Sequence, residues 1–314
     1  MLKQEVGAAR AIASSRARAV RPRLSLARQE ELLAYLFILP SLLGFVIFLV
    51  VPMVASLGIS FFDWELLTPP QFVGLKNFGA LLTDVVFRDV VVNTVYYTFG
   101  LVPLNLVVSL GLAVWLNTKL RGLMWYRTAF FLPVITVTVA VALIWRWMYE
   151  PRAGIVDTAL RAIGLPGPTW LGDPHWAMAA IIIMSVWKGF GYNMVLFLAG
   201  LQGIPVTIYE AAMIDGANAW QRFWKITLPL LSPMIFLAVV LTVISSFQVF
   251  DQAYVMTNGG PANATNTIVL YIYQNGFQYF RMGYASAIAW VLFGVIFLFT
   301  LAQMRLQGSW VQYE

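Results

Sequence analysis

The sequence predicts an all-α integral membrane protein with six transmembrane helices, and three observations support that prediction. The chain is 60% hydrophobic and 11% charged, whereas about a quarter of residues in soluble domains are charged. Its mean hydropathy is +0.77. Six runs are long and apolar enough to cross a bilayer core of about 30 Å, which takes about 20 helical residues. These predicted spans are Leu33–Ile59, Val92–Leu116, Tyr126–Trp147, Trp176–Leu201, Met234–Met256 and Ala285–Gln303.

The chain begins with a basic tail, residues 1–31. Seven of its twenty Lys and Arg residues precede the first apolar run, and such residues concentrate on the cytoplasmic side of membrane proteins. Placing the amino terminus inside puts thirteen Lys and Arg residues on that side and six outside, with Lys188 within a span. Both termini, including a tail at residues 306–314, are therefore predicted to be cytoplasmic. The basic tail lacks interleaved aromatics and a folded scaffold, which argues against nucleic-acid binding.

The first apolar run is far longer than the run of about 7–15 residues in a cleavable signal, so it is predicted to remain as span one. Before span two, Phe78, Leu81, Leu82 and Val85 recur at helical spacing and predict a short interfacial helix. Gly and Pro predict turns in the loop before span four and in NGGPANATNT after span five. No segment is long enough for a separate soluble domain, so residues 32–305 are predicted to form one six-span transmembrane domain.

Residues that carry catalysis or bind metals are scarce. The chain has no cysteine and one histidine, and no phosphate-binding loop of the form G-x-x-x-x-G-K-[ST] occurs. Carboxylates are not paired at helical spacing, as an acid–base dyad requires. The sequence therefore predicts no catalytic, cofactor or metal site, and it does not support a membrane enzyme.

The segment between spans four and five, residues 205–233, is polar and helix-forming. Pro205 suits the start of a helix, and Gly216 suits the positive φ at which helices commonly end. A second helix, AWQRFWKIT, is predicted to follow, and Pro229 and Pro233 are predicted to stop it and redirect the chain into span five. We call this helix–turn–helix segment the elbow.

The second helix of the elbow is predicted to have an aromatic face with Trp220, Phe223 and Trp224 and a charged face with Gln221, Arg222 and Lys225. Two readings fit these features about equally well. The elbow either anchors the helices in the lipid headgroup region or offers a docking surface for another protein.

A resemblance favours docking. Glu210-Ala211-Ala212, Gly216, Ile226 and Leu228-Pro229 match the spacing EAA-x₃-G-x₉-I-x-LP, and so resemble the EAA motif of inner-membrane subunits of bacterial ABC importers. The resemblance implies the type I importer fold, with the elbow as a cytoplasmic coupling helix in a cleft of an ATPase subunit. The implied coupling residues are Glu210, Ala211, Ala212, Asp215, Gly216, Ile226, Leu228 and Pro229. Glu210 would pair with a basic group, the two alanines would allow close approach, and Gly216 would form the turn.

Residues 32 to 305 further resemble carbohydrate-import permeases of the type of the larger maltose-transporter subunit. The stretches that carry this resemblance include FILPSLLGFVIFLVVPMVASLGISFFDW, RTAFFLPVITVTVAVALIWRWMY and TNGGPANATNTIVLYIYQNGFQYFRMGYASAIAW. The chain departs from the maltose subunit in lacking extra amino-terminal spans and a large outer insertion. The resemblance implies a bacterial inner-membrane assembly with a second, smaller-type permease, two ATPase subunits that bind ATP and Mg, and an extracytoplasmic substrate-binding protein. Transport would proceed by alternating access.

Polar residues at membrane depth are the candidates for a substrate pathway, since they are costly against lipid. Some of them match the family's sugar-contacting positions, and the hydroxyl residues have the alternative role of helix–helix hydrogen bonding. Lys188 also suits an anionic sugar or a glycerol phosphate, which is the second substrate class. The predicted pathway residues are Thr138, Ser185, Lys188, Gly189, Tyr192, Thr242, Ser245, Ser246, Gln248 and Asp251.

A stand-alone secondary transporter is the competing functional class. That class typically has inverted repeats and intramembrane acidic groups for ion coupling. The predicted spans offer only Asp251, near one end, and the EAA spacing would have no role in such a protein.

Overall fold

The computed structural model describes residues 26–118 and 122–308. The chain divides into two units, residues 1–56 and 57–314. The first span begins with α1 (Leu26–Phe45), passes through a π-helical turn (Val46–Val50) and ends with α2 (Val51–Ile59). Its helix thus begins inside the segment predicted as a tail. The other residues of that predicted tail, 1–25, lie outside the described residues, as do Lys119, Arg121 and residues 309–314.

The second unit opens with a small antiparallel hairpin that the all-α prediction did not include. Strands β1 (Phe62–Asp63) and β2 (Gln71–Phe72) pair, with Phe62 opposite Phe72. The predicted interfacial helix follows as α3 (Lys76–Thr83), with Leu81 buried and Leu82 89% exposed.

Span two is α4 (Val85–Leu116), which starts seven residues earlier than predicted. The cause is a cap at Asp84, whose Oδ1 accepts the backbone N–H groups of Val86 and Phe87 at 2.9 and 3.2 Å. Such a cap satisfies N–H groups that have no partner within the helix. Val85 therefore belongs to the spanning helix and not to the interfacial one.

Span three is not the single helix that was predicted. It consists of α5 (Leu123–Ile135) and α6 (Thr138–Met148), which are bent by 97° at the break between them. Pro133 removes one helical hydrogen bond, and the β-branched run from Val134 to Val139 has low helix propensity. Thr136 and Val137 adopt extended backbone at the break.

Span four is one long helix, and it is the most buried of the candidate spans. After α7 (Ile155–Ala162), α8 runs from Pro174 to Gly203. In its most apolar window 56% of the residues are buried, against 33% or less in the four other single-helix candidates. A Cβ at Gly191 would collide with the carbonyl of Phe130 on α5, so this position allows α5 and α8 to pack closely. Helix α8 is therefore the centre of the second unit.

The elbow leads into span five without a stop, which contradicts the predicted effect of its prolines. The elements are α9 (Val206–Ile214), α10 (Ala219–Arg222), a π-helical turn (Phe223–Thr227) and α11 (Leu228–Phe247). Residues Ala219–Phe247 form one helical run. The π-turn lets the Leu228 N–H bond to the Phe223 carbonyl, and the Ser232 hydroxyl donates to the Pro229 carbonyl at 2.6 Å. Pro233 is thus accommodated, because the Ser232 hydroxyl satisfies the Pro229 carbonyl that Pro233 leaves unpaired.

Span five ends earlier than predicted, because its helix stops at Phe247 and not near Met256. The chain continues through α12 (Asp251–Thr257), α13 (Ile268–Tyr273), a third π-turn (Gln274–Gln278) and span six, α14 (Met282–Gln307). In the described part of the chain, five helices are long and apolar enough to cross a membrane, or six if the bent pair counts as one span.

Candidate functional site

The turn of the elbow is closed at Gly216. Gly216 has a φ of 78°, in the left-handed region that costs glycine little. Its N–H bonds to the Met213 carbonyl at 3.1 Å, and the Ala217 N–H bonds to the Ala212 carbonyl at 2.9 Å. These two bonds form a Schellman motif, which satisfies the last carbonyls of α9.

The second arm of the elbow begins with a capping box. The Asn218 side chain accepts the Gln221 N–H at 2.8 Å, and the Gln221 side chain accepts the Asn218 N–H at 2.9 Å. The two arms are joined by the hydroxyls of Tyr209 and Thr227, which lie 3.0 Å apart. Tyr209 directly precedes Glu210, so this hydrogen bond links the EAA helix to the π-turn at the start of span five.

The predicted coupling residues divide into an exposed and an inner group. Glu210, Ala211, Asp215 and Gly216 are exposed, while Ala212, Ile226, Leu228 and Pro229 are half-buried. Beside the exposed group, Ile214 is 87% exposed and Met213 51%. The elbow thus combines a carboxylate, small residues and free apolar side chains on one surface, which is a composition suited to docking a protein.

The aromatic face is present as predicted, because Trp220, Phe223 and Trp224 form a cluster with ring centroids 5.4 to 6.4 Å apart. The predicted charged face is wrong for Arg222. This side chain is half-buried and lines a cavity of about 300 Å³ between the elbow and the ends of α4 and α8. Arg222 lies on the inner side of its helix because the second arm of the elbow packs against the first arm at Tyr209.

A second cavity, of about 410 Å³, lies between α4, α8 and α11, with contributions from both halves of span three. Seven of the ten predicted pathway residues line it: Thr138, Ser185, Lys188, Gly189, Tyr192, Thr242 and Ser245. Its other lining residues are Tyr97, Leu101, Asn105, Val134, Asn193, Leu241 and Gln252. We call this space the central cavity.

Three predicted pathway residues lie outside the lining of the central cavity. Ser246 is buried; its hydroxyl donates to the Val243 carbonyl at 2.7 Å and lies 3.0 Å from the Thr98 hydroxyl, which is the helix-packing role left open for the small hydroxyls. Gln248 is exposed where α11 ends, and Asp251 begins α12. Asp251 remains close enough to interact electrostatically with Lys188.

The sequence interpretation missed the asparagines of the central cavity. Asn193 Nδ2 donates to Asn105 Oδ1 at 2.7 Å and to Thr242 Oγ1 at 2.9 Å. The Ser109 hydroxyl donates to the Phe190 carbonyl at 2.9 Å and lies 3.3 Å from Asn105 Oδ1. Both asparagines are buried, and their polarity within apolar runs was the signal that could have identified them.

At the start of α4, the end of this helix that is away from the elbow, Asp84 joins three elements. Its Oδ2 accepts the hydroxyls of Tyr271 at 2.7 Å and Tyr284 at 2.5 Å. Burial alone would raise the pKa of Asp84, but hydrogen bonds from Tyr284, Tyr271, Phe87 and Val86 outweigh burial and hold the pKa below its ordinary value. Burial and the neighbouring carboxylate raise the pKa of Tyr271 to about 12.

Comparison with known proteins agrees with the resemblance read from the sequence. Residues 31–311 match the family model described as "binding-protein-dependent transport system inner membrane component". The chain is similar to the probable ABC transporter permease protein YesP of Bacillus subtilis, at 42% identity over 91% of this chain and 94% of that protein. It is also similar to the arabinooligosaccharides transport system permease protein AraP of the same organism, at 36% identity over 88% of each chain.

Among solved structures, the chain is similar to a subunit in the crystal structure of a bacterial alginate ABC transporter in complex with an alginate pentasaccharide-bound periplasmic protein. The TM-score is 0.78 at 25% identity, over 91% of this chain and 97% of that one. The predicted importer-permease fold is thereby confirmed.

Proposed function

Because the chain belongs to the family of binding-protein-dependent transport system inner membrane components, we propose that it is the permease subunit of an ABC importer for a sugar or oligosaccharide. The names of its relatives support the substrate class, since one carries arabinooligosaccharides and another structure holds an alginate pentasaccharide. The chain supplies the membrane passage, and ATP and Mg bind to partner ATPase subunits.

The elbow is the observation that carries this proposal. Its EAA helix ends in a tight turn at Gly216, and Glu210, Ala211 and Asp215 remain exposed. Small residues allow a partner backbone to approach closely, and a charge at the rim fixes the orientation of docking. In this account an ATPase subunit holds the elbow, with Glu210 facing one of its basic groups.

Motion of the elbow is transmitted to the central cavity through α11. Helix α11 continues from the elbow without interruption and carries Thr242 and Ser245 into the cavity lining. When the ATPase subunits close, the elbow moves and α11 moves with it, which alternately opens the cavity to either side of the membrane. The full assembly contains a second permease, two ATPase subunits and an extracytoplasmic substrate-binding protein.

Site-directed labelling tests the orientation and the docking together, and the chain has no cysteine of its own. Ala211→Cys on the elbow and Gln278→Cys near span six are both exposed positions. In intact cells, where only the outer surface of the membrane is accessible to the reagent, a membrane-impermeant maleimide should label Gln278→Cys only. In inverted vesicles Ala211→Cys should react, and added ATPase subunit should protect it. Labelling of Ala211→Cys from outside, or no protection by the ATPase, would contradict the proposal.

A further inference from the structure

The central cavity has one charged lining residue among the described parts of the chain, and that residue is Lys188. The other thirteen lining residues are uncharged. Lys188 is half-buried on α8, which is the most buried candidate span. A cation at this depth is costly unless it faces water or an anion, so the cavity presents an unneutralised positive charge to its contents.

Asp251 does not neutralise the lysine within the cavity. It lies at the start of α12 and outside the lining residues, and no salt bridge within 4.0 Å joins it to Lys188 in the described structure. It interacts with Lys188 electrostatically, so it can attract the ammonium group while the cavity is empty. An anionic ligand would compete with Asp251 for the same cation.

The rest of the lining suits a polyhydroxyl ligand. Amides and hydroxyls come from several helices, among them Thr138, Ser185, Asn193 and Ser245. Tyr192 adds an aromatic ring that is 51% exposed. These groups match sugar hydroxyls and a sugar's apolar face, while Lys188 alone matches a negative charge.

We propose that the substrate is an acidic oligosaccharide, with a sugar-acid carboxylate that binds Lys188 in the central cavity. This inference rests on the proposed carbohydrate permease function and adds the charge of the cargo. The carboxylate supplies the counter-ion that Lys188 lacks within the cavity, and the neutral hydroxyls of the same sugar bind the surrounding amides and hydroxyls. A charge-assisted hydrogen bond in a partly desolvated cavity is stronger than a neutral one.

Matched disaccharides test the inference on the intact permease–ATPase complex without its binding protein. The probes are digalacturonate, diglucuronate and dimannuronate, each with its carboxyl-reduced neutral counterpart, and binding is measured by calorimetry. At least one acidic sugar should bind about tenfold more tightly than its neutral counterpart. Lys188→Met should bring the two dissociation constants of that pair together, and Lys188→Arg should keep them apart. Higher salt should weaken only the acidic member.

Several outcomes would overturn the inference. They are equal binding within every pair, binding by none of the six sugars, and an acidic preference that survives Lys188→Met. Glycerol 3-phosphate is added as a seventh probe, and its binding without binding of any uronate would assign Lys188 to a phosphate ester and contradict the proposed cargo. Asp251→Asn tests whether Lys188 acts only through its interaction with Asp251. This variant should bind the acidic sugar as tightly as the parent protein or more tightly. A loss of binding equal to that of Lys188→Met would contradict the inference. ATP-driven uptake of a neutral sugar alone would leave the permease function intact.

Discussion

Asn193 donates a 2.7 Å hydrogen bond to Asn105, and these two residues lie 88 positions apart in the sequence. Asn193 also donates to Thr242 at 2.9 Å. One buried side chain thus joins α4, α8 and α11 beside the central cavity. The helix that continues from the elbow is therefore joined to the two other long helices of the central cavity at one point.

Replacing Asn193 should loosen this junction. Asn193→Leu removes both hydrogen bonds and leaves Asn105 Oδ1 with Ser109 alone, so we expect a loss of about 0.5–2 kcal/mol of stability. The measurement is thermal unfolding of the purified complex. Thr242→Val is the matched control, since it removes one of the two bonds and should cost less. An unchanged melting temperature for Asn193→Leu would show that the junction contributes nothing.

The turn at Gly216 should be sensitive to a side chain. A Cβ at Gly216 or at Gly203 would meet no atom within 4 Å, but only Gly216 has a positive φ. Gly216→Ala should therefore strain the turn by about 1–2 kcal/mol and weaken co-purification of the ATPase, whereas Gly203→Ala should leave both unchanged. Equal ATPase binding by the two variants would contradict the role assigned to this turn.

The hydrogen bond between Tyr209 and Thr227 should transmit motion from the EAA helix to α11. Tyr209→Phe keeps the ring and removes the hydroxyl, so the complex should assemble but carry fewer sugar molecules per ATP hydrolysed. The ratio is measured as uptake and phosphate release in the same proteoliposomes. Thr227→Val should have the same effect and add little to Tyr209→Phe in the double variant. Tyr126→Phe, at an exposed tyrosine, is the control and should keep the ratio of the parent protein.

The cluster around Asp84 should make stability depend on acid pH. Because hydrogen bonds hold its pKa below the ordinary value of 3.8, its contribution is complete above about pH 5 and is lost as pH falls through the lowered pKa. The parent protein should therefore melt at a higher temperature than Asp84→Asn at neutral pH, and the difference should shrink in acid. A difference that stays constant down to the lowest pH at which the protein remains soluble would contradict this account.

Much of the architecture follows from patterns that are local in the sequence. The apolar runs predict the spans, and the spacing from Glu210 to Pro229 predicts an elbow with its turn at Gly216. Periodicity could not predict the break at Thr136 and Val137, since the run is apolar throughout and the bend depends on Pro133 together with β-branched neighbours. The predicted stop at the elbow's prolines was wrong for a related reason, because the Ser232 hydroxyl pairs with the Pro229 carbonyl that Pro233 would leave without a partner.

The central cavity was predicted in part. Seven of its lining residues follow from resemblance and from polarity at membrane depth. Asn105 and Asn193 are equally polar, but their pairing depends on how α4 and α8 are rotated about their axes, which a single sequence does not specify. Arg222 was placed on the wrong face because helical periodicity cannot show that the elbow folds back on Tyr209.

ATP-driven uptake in proteoliposomes tests the central claim most directly. The vesicles contain this chain with its partner permease and ATPase subunits, with ATP inside and the substrate-binding protein with radiolabelled sugar outside. We expect the sugar to accumulate only when ATP and the binding protein are both present, and Glu210→Lys to abolish accumulation while the chain still inserts. Accumulation by this chain alone, driven by an ion gradient without the ATPase, would contradict the account.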